Sequence, residues 1–156
     1  MEGVYIMPTV AIGEAKNNLT RLRREALTGK EFLLADAKRK DEQPVSLIST
    51  VLLDELCESK EFTFEWVDEP GKNNEDYSLW NVETGVYGVG KTKAEAIEDF
   101  VDNILDYAKV YFNDLPYYLS KSGSNRSHYW YLRRVIRCDN NRGMLNKVLN
   151  LDSLSD

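Results

Sequence analysis

The chain has 156 residues, 42% of them hydrophobic and 29% charged, and a formal net charge of −6. That is enough for one ordinary domain or two small ones with a buried core, and it excludes a low-complexity chain. No apolar run approaches the roughly 20 residues of a membrane span, and "MEGVYIMPTV" lacks a basic segment followed by an apolar one, so neither a span nor a secretory signal is expected.

In chain order, "PTVAI" is a short extended stretch and "GEAKNNLTRLRREALTGK" a helix. Ala15, Leu19, Leu22 and Ala26 recur at helical spacing, and Gly29 is placed to stop the helix. "EFLLA" and "PVSLIS" read as strands joined by the charged loop "DAKRKDEQ", and "TVLLDELCES" as a closing helix. This β-α-β-β-α unit is thin for a core and calls for a dimer partner or a second domain. A boundary is expected near residues 58–62. "EFTFEWV" then alternates, with Phe62, Phe64 and Trp66 on one face of a strand. "DEPGKNNED" is a turn-rich break, "YSLWNVE" the hairpin partner and "TGVYGVG" a short strand with a turn. "TKAEAIEDFVDNILDYAKVYF" is a long helix with Ala94, Ile97, Val101, Ile104, Leu105 and Ala108 along one face. Two short helices follow around "RSHYWYLRRVIRC" and "RGMLNKVLNL". There is no internal repeat.

Charge divides the chain differently. Residues 1–60 carry 9 basic and 10 acidic side chains, residues 61–120 carry 4 and 13, and residues 121–156 carry 7 and 3. The middle third is an acidic block, ill suited to nucleic acid and able to attract a basic partner. Cys57 and Cys138 are remote in sequence, so a reducing cytoplasm is expected rather than a disulfide framework.

Residues 85–92, "GVYGVGKT", fit the pattern of a phosphate-binding loop. The surroundings do not. "YSLWNVE" is polar at alternate positions, as in an antiparallel strand, and no later strand offers an Asp to complete a metal site. Thr92 and Glu95 form a capping box that would put a carboxylate where phosphates must sit, with Gly90 making the turn before it. The stretch reads as a turn and a helix cap, and no cofactor is expected. His128, the only histidine, reads as a packing or helix-surface residue. One histidine and two remote cysteines make no tetrahedral metal site. Glu95, Glu98, Asp99, Asp102 and Asp106 read as a solvated helix face, and nothing else argues for an enzyme.

The first helix is more informative. Lys16, Asn17, Thr20, Arg21, Arg23 and Arg24 lie off its apolar stripe, with side chains suited to phosphates and base edges. Docking on DNA and a solvated face ion-paired to Glu14 and Glu25 are equal readings on charge alone. Lys38, Arg39 and Lys40 make a second basic spot. Near the other end, Tyr129, Trp130 and Tyr131 stand in a row, so at least one faces outward and is available as an interface anchor. Arg133 and Arg134 follow them, and these five are the candidate partner-binding residues.

Residues 8–57 resemble the N-terminal domain of Phd/YefM-type antitoxins, through Glu14-Ala15-Lys16-Asn17-Asn18-Leu19-Thr20 and through Pro44-Val45 opening the third strand. Gly13 stands where that family has Ser or Thr, and the second hairpin is longer than the family's. "YSLWNVETGVYGVGKTKAEAIEDFVDNILDYAKVYF" is similar to a HicB-like module, through Gly90-Lys91-Thr92 and Glu95-Ala96, and the tail to the ends of long bacterial antitoxins. The resemblance implies an α+β protein in three parts: a dimerising, DNA-binding module at 1–58, an acidic sheet-and-helix module at 59–120, and a helical tail at 121–156 packed on or extending it. It further implies a homodimer that represses its own operon on operator DNA. The cognate toxin would be neutralised by the C-terminal part and is commonly a RelE/YoeB-like mRNA-cleaving nuclease. The alternative is a stand-alone DNA-binding regulator whose second domain binds a ligand or a protein.

Overall fold

The structure, a computed structural model, describes residues 6–71, 75–120 and 123–154. Parts of the "MEGVYIMPTV" start and of the breaks around 72–74 and 121–122 lie outside the described residues, as do the last two residues of the tail. The protein is mixed α+β, with two three-stranded sheets. It divides into two compact units, Met1–Leu56 and Cys57–Asp156.

The first unit runs β1 (Thr9–Ala11), α1 (Ile12–Ala26), β2 (Phe32–Ala35) and β3 (Val45–Leu47), with α2 (Thr50–Glu58) reaching across the division. β1 pairs parallel to β2, with Val10 opposite Leu34, and β2 antiparallel to β3, with Leu33 opposite Ser46. A parallel pair needs a crossover, and α1 supplies it. The core is small: Val10, Ala15, Leu22 and Phe32, with Leu34 and Leu47 against them. Gly29 ends the helical segment as its position predicts, in a left-handed conformation at φ 97° that a side chain would strain.

Helix α1 departs from its predicted stripe at one point. Asn18 is non-helical at φ −118°, and its side-chain amide donates to the carbonyl of Glu14 at 3.0 Å. Local side-chain bonding of this kind competes with the helical ladder. Across the kink Ala15, Leu22 and Ala26 stay buried while Leu19 is left 55% exposed. The helix also starts at Ile12, so Gly13 lies inside its first turn and is not its cap.

The second unit holds β4 (Phe64–Asp68), β5 (Tyr77–Asn81), β6 (Tyr87–Gly90), α3 (Lys93–Asn113), α4 (Leu115–Tyr118), α5 (Tyr129–Ile136) and α6 (Arg142–Leu149). Its sheet is antiparallel throughout, in the order β4-β5-β6. Side chains directly opposite one another share a face. Trp66, Leu79 and Gly88 line the face toward α3, and Glu65, Trp80 and Tyr87 line the other. Phe64 meets Phe100 of α3 edge-on, with ring centroids 5.2 Å apart. The core then continues through Ile104, Leu105 and Ala108 to Leu132 and Val135 of α5 and Leu145 and Leu149 of α6.

Close packing sets which face of α3 turns inward. A Cβ on Gly88 would collide with the Ala96 carbonyl oxygen and the Phe100 amide nitrogen, and one on Gly90 with Glu95 and Ala96. Ala96 and Phe100 are therefore buried, whereas Ala94, which the spacing predicts on the inner face, is exposed. β5 is also drier than its alternation predicts, because Asn81 is fully buried. Its amide donates to Thr63 O at 3.1 Å and to Glu83 at 2.7 Å, while its oxygen accepts from Thr84 N at 3.1 Å. A buried amide satisfied in this way fixes the turn into β6.

Candidate functional site

Lys16, Asn17, Thr20, Arg21, Arg23 and Arg24 are all exposed on α1. Residues three and four apart are neighbours on a helix surface, so Lys16-Thr20-Arg23 and Asn17-Arg21-Arg24 form two adjoining rows. Ala15, Leu22 and Ala26 anchor the opposite side. Arg21 pairs with Glu25 at 2.7 Å, and Lys30 reaches the same carboxylate at 2.8 Å. Lys30 first, then Arg21, hold the Glu25 carboxyl below its usual range. Lys16, Arg23 and Arg24 make no ion pair among the described residues. Of the two readings the charge left equal, ion pairing accounts for Arg21 and leaves three cations facing solvent. In the second hairpin the Asp36 carboxylate accepts from Lys38 N at 2.9 Å, and Arg39 pairs with Glu42 at 3.2 Å.

The five candidate residues of the tail are less alike. Tyr129 is half-buried against Phe112 at 5.5 Å, and Tyr131 meets Phe62 edge-on at 5.4 Å. Arg133 is only 8% exposed, with Nη1 3.9 Å from Cys57 Sγ. Arg134 lies over the Phe62 ring and donates to Lys60 O at 2.7 Å. Backbone carbonyls of Lys60 and Val148 thus accept from Arg134, whereas the buried Arg133 has the Cys57 sulfur beside it. Trp130 alone of the five is exposed, at 43%.

Each polar or glycine position of "GVYGVGKT" has a structural partner or role. Gly85 takes the positive φ of a turn, at 70°. Gly88 and Gly90 admit α3; Gly90 ends β6 and does not form the turn expected of it. Thr92 Oγ1 accepts from Glu95 N at 3.2 Å, Glu95 Oε2 accepts from Lys91 N at 2.8 Å, and Lys91 Nζ pairs with Asp76 at 2.6 Å. A phosphate here would have to displace the helix's own cap.

The carboxylates of α3 are not simply solvated. Asp99 accepts from Val89 N at 2.8 Å, and Asn103 donates to Tyr87 O at 2.8 Å. These are outward-pointing groups of an edge strand, and α3 closes that edge with two side chains one turn apart. Sequence reasoning missed this role; the spacing of Asp99 and Asn103 places them on one helix face but names no strand. Arg142 of α6 pairs with Asp102 and with Glu98. Behind the sheet, the outer face leaves Tyr87 48%, Val89 46% and Val82 39% exposed, and Trp80 stacks on Tyr87 at 6.0 Å. His128 Nδ1 and the Tyr107 hydroxyl are hydrogen bonded at 2.8 Å. Burial lowers the imidazole's pKa and, with Tyr118 and Tyr111 nearby, pushes the phenol up to about 12.

Among the described residues no group of three or more His, Cys, Asp or Glu could hold a metal ion, and no helix is long and apolar enough to cross a membrane. A PHD-like family model, described as antitoxin of toxin-antitoxin, RelE / RelB, TA system, matches residues 7–150. No curated protein matches the chain. A crystal structure of an antitoxin part of a proposed toxin/antitoxin system from Syntrophomonas wolfei subsp. wolfei superposes with a TM-score of 0.70 at 19% identity. The match covers 92% of this chain and 95% of that one, and it is a likeness of fold.

Proposed function

Because the chain belongs to the PHD-like antitoxins of toxin–antitoxin systems, we propose that its second unit neutralises a cognate toxin while its first binds operator DNA and represses the operon. The observation that carries the DNA half is the set of Lys16, Arg23 and Arg24 in two adjoining rows, exposed and without ion pairs among the described residues, on a helix whose other side is buried. Asn17 and Thr20 between them supply hydrogen-bonding groups for bases or phosphates.

The first unit acts as a homodimer in this reading. Ile12, Leu19, Leu27, Val45, Val51 and Leu56 are each more than half exposed around a four-residue core, a surface that a second copy would cover. The Phd/YefM-like assignment of residues 8–57 is supported by the β-α-β-β-α order, and the HicB-like assignment of the second unit by the antiparallel sheet leading into a capped long helix. The toxin is taken to be a RelE/YoeB-like mRNA-cleaving nuclease, in keeping with the family's description, and Trp130, the one exposed member of the tail set, marks the rival contact surface to be tested.

The DNA half is tested by operator binding at rising salt. Affinity should fall steeply as salt rises, because the counterions that the protein displaces from DNA gain less entropy in a saltier solution. Lys16→Glu and Arg23→Glu should each abolish binding with circular dichroism unchanged. If both variants bind like the parent, the basic helix is only a solvated face and the repressor role fails.

A further inference from the structure

We infer that the outer face of the second sheet, centred on Trp80, Tyr87 and Val89, is the surface on which the cognate toxin docks, and that the toxin meets it with a cationic surface. The inference rests on the antitoxin reading and adds where the partner binds and with what chemistry. Trp80 and Tyr87 stack at 6.0 Å on the face turned away from α3, and Val82 and Val89 flank them, 39% and 46% exposed. Aromatic side chains with aliphatic neighbours, partly open to solvent, are the composition of an interface core.

Two further observations choose the occupant and the mode. No Lys or Arg occurs in β4, β5 or β6, and Glu65, directly opposite Trp80 on this face, is exposed and has no ion pair among the described residues. The segment from 61 to 120 carries 13 acidic and 4 basic side chains. An apolar patch in such a field favours a basic protein and repels nucleic acid or a second acidic copy. The β6 edge, meanwhile, is closed by Asp99 on Val89 N and by Asn103 on Tyr87 O. A partner that extended the sheet at that edge would have to displace both bonds, whereas the face, where the side chains of Tyr87 and Val89 point, is open to it.

The test is titration calorimetry of the full chain with the product of the gene adjacent to its own. The parent should bind. Tyr87→Ala should weaken binding about thirty-fold and Val89→Lys at least as much. Glu65→Lys, at an exposed position, should weaken it several-fold and flatten its salt dependence. Trp130→Ala should change it little. Thermal melts and circular dichroism verify that each variant is folded. If folded Tyr87→Ala and Glu65→Lys bind within two-fold of the parent, the docking face is elsewhere; loss of binding in Trp130→Ala alone would move it to the tail. If the parent neither binds that product nor protects cells from it, the antitoxin reading falls as well.

Discussion

The two units each contain a three-stranded sheet crossed by a helix, yet they bury very different amounts of it. In the first, four side chains form the core, and eight large apolar residues between Ile6 and Leu56 are exposed. In the second, thirteen side chains, Phe100 and Ile104 among them, form one cluster drawn from the sheet, α3, α5, α6 and the turns that follow α5 and α6. A core of four cannot offset the backbone entropy of some fifty residues, whereas thirteen buried groups around one long helix approach an ordinary small domain. The contrast teaches a division of dependence: the second unit is built to stand alone, and the first to be completed by something that covers its apolar surface.

The most damaging substitution should be Gly88→Val. Its side chain meets backbone atoms of Ala96 and Phe100, which cannot rotate away, so α3 must leave the sheet. We expect a loss of about 3 kcal/mol or more and a fragment of residues 57–156 that no longer melts cooperatively. The unsubstituted fragment should melt cooperatively and independently of concentration. If it does not, the second unit is no more self-sufficient than the first.

Leu22→Ala should come next, at about 3 kcal/mol, because Leu22 is fully buried in a core with little else. The midpoint of the first unit should also rise with protein concentration if a second copy covers it. A midpoint that ignores concentration would mean that the exposed apolar residues are tolerated singly. Thr92→Ala should cost about 1 kcal/mol through the lost bond to Glu95 N and affect the second unit only, read from its denaturant midpoint.

The smallest effect separates the units by pH. Burial holds the folded pKa of His128 below its usual 6.5, so the unfolded chain takes up the proton more readily. Stability of the second unit is therefore complete above that value and declines as pH falls below it. Glu25 in the first unit is lowered instead, by Lys30 and Arg21, so its contribution is present above the usual 4.5 and lost on acidification below that. Melts recorded at successively lower pH should show the second unit weakening first and slightly, and His128→Gln should flatten that early decline. An unchanged decline in the variant would assign it to other groups.

Much of this was legible along the chain because it depends on neighbours in sequence. The order of elements, the alternation of Phe62, Phe64 and Trp66, the stop at Gly29 and the Thr92–Glu95 cap all arise within a few residues. The acidic block and the basic rows of α1 were equally visible, since solvent-facing charge needs no partner to be recognised. The exposed position of Trp130 was half legible: three aromatics in a row cannot all turn inward, but only the packing of Tyr129 on Phe112 and Tyr131 on Phe62 decides which one does not.

The tertiary structure decided whatever depends on contact between distant segments. Leu19 belongs to the apolar stripe by spacing, yet it lies exposed beside the non-helical Asn18, whose side chain bonds to the Glu14 carbonyl. The glycines of "GVYGVGKT" match a phosphate loop by pattern, and the approach of α3 to within a missing Cβ makes Gly88 and Gly90 packing residues. Arg133 and Arg134 look like surface cations until α5 settles against Cys57, Lys60 and Phe62. Local periodicity and capping are set by short-range sterics and hydrogen bonds that the sequence states outright. Which face is covered, which edge is closed and which charge is buried depend on segments brought together only by folding.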